Sequence, residues 1–127
     1  MNVININALD AFNYLSKEVN SYLIDTRSDL EWKTTGIPDL SSINKETNLI
    51  NWGPVLDQTF FEQYKKFLLT NFDQKDSLFF ICRSGSRSLM AAKFATEFGF
   101  EHCFNIYDGF DNENNHNWKK KLPVKII

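Results

Sequence analysis

Cysteine is scarce in this chain: Cys82 and Cys103 are the only two among 127 residues. Two thiols cannot build the disulfide framework on which small secreted domains depend. Histidine is equally scarce, with His102 and His116 far apart. Together with the absence of any Cys-x-x-Cys pair, this leaves no expected metal site. No stretch approaches the roughly 20 consecutive apolar residues that cross a bilayer. The opening residues MNVININALDAF lack a basic stretch leading into an apolar segment and a small-residue cleavage site. A cytoplasmic protein without membrane association is therefore expected. Neither sign of charge dominates, and the net charge of -2 argues against a nucleic-acid-binding surface. The one basic run, Lys119-Lys120-Lys121, reads as a solvated segment. With no repeat and no low-complexity linker, residues 1–127 read as one domain.

Apolar and aromatic material is abundant. The chain is 43% hydrophobic with 12 phenylalanines, enough to bury a proper core. Its pattern alternates between strand-like and helix-like segments. VINI (Val3–Ile6) is a strand candidate. Asn7 can cap a helix carrying Leu9, Phe12 and Leu15 on one face. SYLID (Ser21–Asp25) is a strand ending in an acid. Ser28 and Glu31 have capping-box spacing before a short helix holding Leu30 and Trp32. TNLINW (Thr47–Trp52) is a further strand. Asp57 opens a helix to about Phe72, with Phe60, Phe61, Tyr64, Phe67 and Leu68 at helical spacing. SLFFIC (Ser77–Cys82) is a buried strand, Ser86 to Phe98 a helix stopped by Gly99, and CFNIYD (Cys103–Asp108) the last clear strand, after which Gly109 turns the chain. The polar piece DNENNHN (Asp111–Asn117) reads as a loop or brief helix. Strands separated by helices predict an α/β domain with a mostly parallel central sheet flanked by helices on both faces. Sites in such folds lie beyond the carboxyl ends of the strands, where Cys82 and Asp25 both fall.

The segment Cys82–Ser88, CRSGSRS, carries the chemistry. Gly85 permits a tight loop, and the loop runs into the N-terminus of a helix whose first amides lack intrahelical partners. Such a loop is a nest for an anion, and a cysteine at its base gains a stabilised thiolate. Arg83 and Arg87 add positive charge at the rim. A plain buried cysteine with solvated arginines would leave this combination of glycine, arginines and strand-to-helix placement unexplained. Three chemistries use a loop of this kind. Phosphate-ester hydrolysis through a phosphocysteine needs its arginine one position later, where this chain has Ser88. Cysteine–histidine catalysis would have to recruit His102 or His116, neither in a suggestive setting. Sulfur transfer through a persulfide needs an amide-lined pocket and no general base.

These residues resemble those of single-domain rhodanese-like (thiosulfate sulfurtransferase-type) proteins. The family's loop commonly has glycine fourth and an Arg-Ser or Thr-Ser ending, as in Cys82-Arg83-Ser84-Gly85-Ser86-Arg87-Ser88. YLIDTR (Tyr22–Arg27), Glu31-Trp32, Gly36-Ile37-Pro38, NIYDGF (Asn105–Phe110), Trp118 and Leu122-Pro123 follow the family's order, so the likeness spans nearly the whole chain. Two departures touch the pocket's surroundings. GIPDLSSIN (Gly36–Asn44) lacks the histidine and second glycine of many relatives, and Gly109-Phe110 stands where Gly-Gly is frequent.

The resemblance implies that Cys82 accepts the sulfur and that the loop from Arg83 through Ser84, Gly85, Ser86 and Arg87 to Ser88 binds the donor. Arg83 and Arg87 would draw a small anionic donor such as thiosulfate, with a salt bridge as the plainer role for Arg87. Asp25 and Arg27 would brace the loop. The acceptor would be a thiol, a protein thiol included, or a cyanide-like nucleophile. No cofactor is implied. Trp32, Trp52 and Trp118 are expected in packing, and Cys103 as a buried structural thiol with a resolving role as its alternative. The rival functions are a cysteine-dependent phosphatase or arsenate-reductase-like enzyme and a non-catalytic binding module on the same scaffold.

Overall fold

The computed structural model describes residues 2–113 and 116–127. In the polar segment Asp111–Asn117, Asn114 and Asn115 lie outside the described residues, so its expected conformation is followed only at its two ends. Five strands form one parallel sheet: β1 (Ile4–Ile6), β2 (Ser21–Asp25), β4 (Asn48–Leu49), β5 (Ser77–Ile81) and β6 (His102–Ile106). Their order is β1-β6-β5-β2-β4, so β5 lies at the centre. A second, two-stranded antiparallel sheet pairs β3 (Ile37–Pro38) with β7 (Val124–Lys125). The helices are α1 (Ala8–Lys17), α2 (Asp29–Thr35), α3 (Gln58–Asn71), α4 (Ser86–Glu97) and α5 (Trp118–Lys121).

The alternation along β5 divides the core. Leu78 and Phe80 face the side that holds α3 and α4, with Ile24, Tyr64, Leu68, Ala91, Ala92 and Ala95. Phe79 and Ile81 face the side that holds α1 and Trp118 of α5, with Ala8, Ala11, Leu15, Leu23 and Ile106. Both faces of the sheet are thus covered, as an all-parallel sheet requires. On the second face Phe79 stacks on Phe104 at 4.3 Å between ring centroids.

The helix starts follow the sequence closely. Asn7 accepts from the Asp10 amide, Ser28 and Glu31 form a complete capping box, and Asp57 accepts from the Phe60 amide. The buried faces differ in two places. Helix α1 buries Ala8, Ala11 and Leu15, whereas Leu9 is 51% exposed. Two alanines let the helix settle close to the sheet, and Phe12 is displaced to the flank, edge-on to Trp118. On α2, Trp32 is buried but Leu30 is 72% exposed. The expected strand Thr47–Trp52 contracts to Asn48–Leu49 at the sheet edge, although the amides of Ile50 and Trp52 still reach the carbonyls of Asp25 and Arg27. Strand β6 ends at Ile106 because Gly109 closes a turn on it and the Asp108 carboxylate accepts from the Ala8 amide at 2.9 Å.

Candidate active site

Strand β5 delivers Cys82 to the carboxyl edge of the sheet, between the ends of β2 and β6. The chain then turns through Arg83 and Ser84 to Gly85, whose φ of 106° lies in the left-handed region. A Cβ at Gly85 would stand 2.9 Å from the Tyr107 carbonyl oxygen, so both conformation and space demand glycine. Gly85 is the N-cap of α4, and no side chain caps that helix, whereas α1, α2, α3 and α5 each begin with a side-chain cap. The first amides of α4 are therefore left to the loop and to whatever it holds.

Cys82 has no exposed surface. The Gly85 amide donates to its Sγ at 3.1 Å, and Ser88 Oγ lies 3.2 Å from the same sulfur. Arg83, Ser84 and Ser86 form the exposed rim. Arg87 is elsewhere engaged. Its two terminal nitrogens donate to the two oxygens of Glu31 at 2.7 and 3.0 Å, a bidentate pair. The Arg87 guanidinium holds the Glu31 carboxyl well below its ordinary range, at about 2. Glu31 also accepts from the Ser28 amide and hydroxyl, so one carboxylate closes the capping box of α2 and ties that helix to the cysteine loop. Of the two arginines assigned to the rim, Arg83 alone presents a charge without a carboxylate bound to it in this way, and the salt-bridge role for Arg87 is the one the geometry displays.

Asp25 and Arg27 lie at the end of β2. Arg27 donates from Nε and Nη2 to the Asp25 carboxylate, at 3.1 and 2.8 Å to Oδ2, and both side chains are buried. The rest of the guanidinium reaches the Thr35 hydroxyl and the Gly36 carbonyl, while its carbon sits 3.8 Å from the Phe110 ring centroid. The pair thus joins β2, the end of α2 and the segment beside the loop. Thr26 continues this bracing, donating from amide and hydroxyl to the Ile81 carbonyl. Phe110 and Asp111 donate from their amides to the carbonyls of Cys82 and Arg83. Gly109, at φ 73°, lies so close to Arg83 that a Cβ would run into its carbonyl. Phe110, buried and in contact with the Arg27 guanidinium, is therefore a support of the loop and of Arg27 together.

Sequence reasoning missed Asn105 as a contact of the loop. It is buried in β6, and its side chain meets Ser88, Gly85 and Asn5. No local pattern could reveal this, because Asn5 and Ser88 lie 100 and 17 positions away. Cys103 pairs with Leu78, four residues before Cys82 on the neighbouring strand. At roughly 3.3 Å per residue the two thiols sit on the order of 13 Å apart along the sheet, beyond disulfide reach. Burial pushes the Cys103 thiol up to about 12. Cys103 is placed as a core residue, with its thiol buried and away from the Cys82 loop. Trp52 packs edge-on against Phe60 and Tyr64, and Trp118 donates to the Pro123 carbonyl, so both serve packing. Among the described residues no cluster of histidine, cysteine or carboxylate side chains could hold a metal ion, and no helix is long and apolar enough to cross a membrane.

The parallel sheet with this strand order, and a cysteine loop between its central strand and a helix, defines a rhodanese-like fold, and comparison with solved structures agrees. Rv0390 from M. tuberculosis superposes with a TM-score of 0.82 at 29% identity, covering 98% of each chain. The polysulfide-sulfur transferase of Wolinella succinogenes, a homodimer, gives 0.69 at 21% identity, covering 98% of this chain and 80% of that one. A rhodanese-like domain protein from Staphylococcus aureus gives 0.66 at 18% identity, covering 98% and 99%. The family described as the STR4 middle domain matches residues 4–126, and the chain belongs to that family. An uncharacterized protein of Rickettsia prowazekii is 38% identical over 125 residues, 97% of this chain and 98% of the relative.

Proposed function

We propose that this protein is a sulfurtransferase that carries a sulfane sulfur as a persulfide on Cys82. The observation that carries this reading is the Cys82 sulfur at the floor of a loop whose Gly85 amide donates to it and whose helix begins without a side-chain cap. The thiolate attacks the outer sulfur of the donor. With thiosulfate, the donor's S–S bond breaks, its electron pair leaves on sulfite, and a new S–S bond forms at Cys82. An acceptor thiol or cyanide then attacks the outer sulfur, and Cys82 departs as thiolate. Once Cys82 has lost its proton to water, neither half needs a general base or a resident cofactor, and charge balances in each.

Arg83 is the rim residue that draws an anionic donor in this account. Asp25 and Arg27 act by tying the end of β2 to the end of α2 and to Phe110 beside the loop. Because Cys82 is fully buried at rest, transfer requires the exposed rim at Arg83, Ser84 and Ser86 to part. The phosphatase-like alternative is weakened further by Arg87, whose guanidinium is committed to Glu31 rather than free to fold over a phosphate. The fold shared with the polysulfide-sulfur transferase of Wolinella succinogenes is consistent with the proposal, and the chemistry rests on the loop. Thiocyanate formation from thiosulfate and cyanide tests it. The wild type turns over and Cys82→Ser does not; turnover surviving in Cys82→Ser would refute a role for this sulfur.

A further inference from the structure

The buried side chain of Asn105 dictates which way the Ser88 hydroxyl points, and through it what the Cys82 sulfur meets. The Asn105 amide lies 3.3 Å from the Gly85 carbonyl oxygen and 3.2 Å from Asn5 Oδ1 through Nδ2, and 2.6 Å from Ser88 Oγ through Oδ1. A backbone carbonyl only accepts, so rotating the amide by half a turn would face two acceptors at Gly85. Nδ2 is thereby fixed toward Gly85 and Oδ1 toward Ser88. Since Oδ1 also only accepts, the single Ser88 hydroxyl proton is committed to Asn105 at the shorter distance. Ser88 then offers the sulfur 3.2 Å away a lone pair rather than a proton. When the sulfur carries a proton, the contacts form a chain of donations, from the Cys82 S–H to Ser88 and from Ser88 to Asn105, with the Gly85 amide donating to the sulfur from the other side.

We propose that Asn105 is a positioning residue that holds the Cys82 sulfur as a hydrogen-bonded thiol, and that an anionic sulfur is welcomed at Ser88 only when that hydroxyl turns away from Asn105. The turn leaves a buried Asn105 oxygen without its donor, which is costly in a dry site. The proton arrangement is independent of sulfur carriage; only its functional meaning rests on the reading of Cys82 as the sulfur carrier. The charged and titratable groups around this contact are Arg83 in the loop, Arg87 of α4 bound to Glu31 of α2, and the Asp25–Arg27 pair after β2. Tyr107 lines the cleft beside Gly85 and Asn105, Asp108 is bound to the Ala8 amide, and Tyr64 of α3 donates to the Ala91 carbonyl. β1 offers no titratable side chain. Replacing Asn105 or Ser88 with alanine alters none of these charges.

The test follows the ultraviolet absorbance of the thiolate against pH, with the Cys82→Ala signal subtracted, in wild type, Asn105→Ala, Ser88→Ala and the double variant. Losing the Asn105 acceptor frees the hydroxyl for the sulfur, and a hydrogen bond to a charged group shifts such an equilibrium by about tenfold or more. Asn105→Ala is therefore expected to move the midpoint down by about one pH unit. Ser88→Ala alone is expected to leave the midpoint nearly in place, yet to raise it by a similar amount in the Asn105→Ala background. An unchanged or raised midpoint in Asn105→Ala, or an equal shift with and without Ser88, would overturn the proposal. If Asn105→Ala does not fold, Ser88→Ala decides alone, because a rise of a full unit would show that Ser88 already donates to the sulfur. These titrations are read without any sulfur donor, so failure of the transfer reaction leaves them intact.

Discussion

Replacing Glu31 with glutamine isolates the ion pair that ties α2 to the cysteine loop. Glutamine can still accept from Ser28, since the capping box tolerates either side chain, so the helix start is preserved. What is lost is the charge that binds Arg87 at 2.7 Å. The Arg87 hydrogen bond, opposed by partial burial and helped by Ser28, lowers the Glu31 carboxyl from 4.5 to about 2. A carboxyl depressed in the folded state stabilises the fold above its unfolded value and loses that contribution as pH falls through the folded one. The full linkage value is about 3 kcal/mol. With the side chain 27% exposed, water competes for the pair, and roughly 1–2 kcal/mol is expected at neutral pH. Urea unfolding of wild type and Glu31→Gln from pH 7 down to 2 measures it. The variant should be less stable by that amount at pH 7, and the two should converge between about pH 4.5 and pH 2. A constant difference across the range would mean that the charge contributes nothing and that packing alone is lost.

Three further outcomes follow from the same geometry. Asp25→Ala leaves Arg27 charged and buried without its partner, and unfolding experiments should show a loss of about 3–5 kcal/mol, a large share of the total stability of a domain this size. Gly109→Ala drives a Cβ into the Arg83 carbonyl at positive φ; sulfur-transfer turnover should fall at least about tenfold, the equivalent of roughly 1.4 kcal/mol in the loop's geometry, and a fully active variant would disconnect Gly109 from the loop. Cys103→Ala should keep full turnover and lose about 1–2 kcal/mol of stability for the core volume removed, and a loss of turnover in a folded protein would restore a chemical role to that thiol.

The parts of this molecule that were legible in its sequence are those governed by neighbours in the chain. The caps at Asn7, Ser28 and Asp57, the apolar run before Cys82, and the glycine at 85 each state their conformation within a few residues, and the alternation of strands and helices gives the parallel sheet. Contacts between distant segments were not legible in advance. The capping-box spacing marks Glu31 as a capping residue, which it is, but its second task on Arg87 spans 56 positions. The buried face of α1 departs from its hydrophobic pattern because hydrophobicity favours Leu9, while close approach to the sheet favours Ala8 and Ala11. The pairing of Ile37–Pro38 with Val124–Lys125 and the placement of Asn105 beside Ser88 depend on the whole fold, and no local pattern encodes either.

The central claim is that Cys82 carries sulfur, and the mass of the protein after exposure to a donor tests it most directly. Incubation with thiosulfate, polysulfide or mercaptopyruvate, followed by intact and peptide mass spectrometry, should show a gain of roughly 32 Da, one sulfur, on the peptide containing Cys82. The gain should be removed by a reducing thiol and absent in Cys82→Ser. No gain from any of the three donors, or a gain that maps elsewhere, would contradict the account.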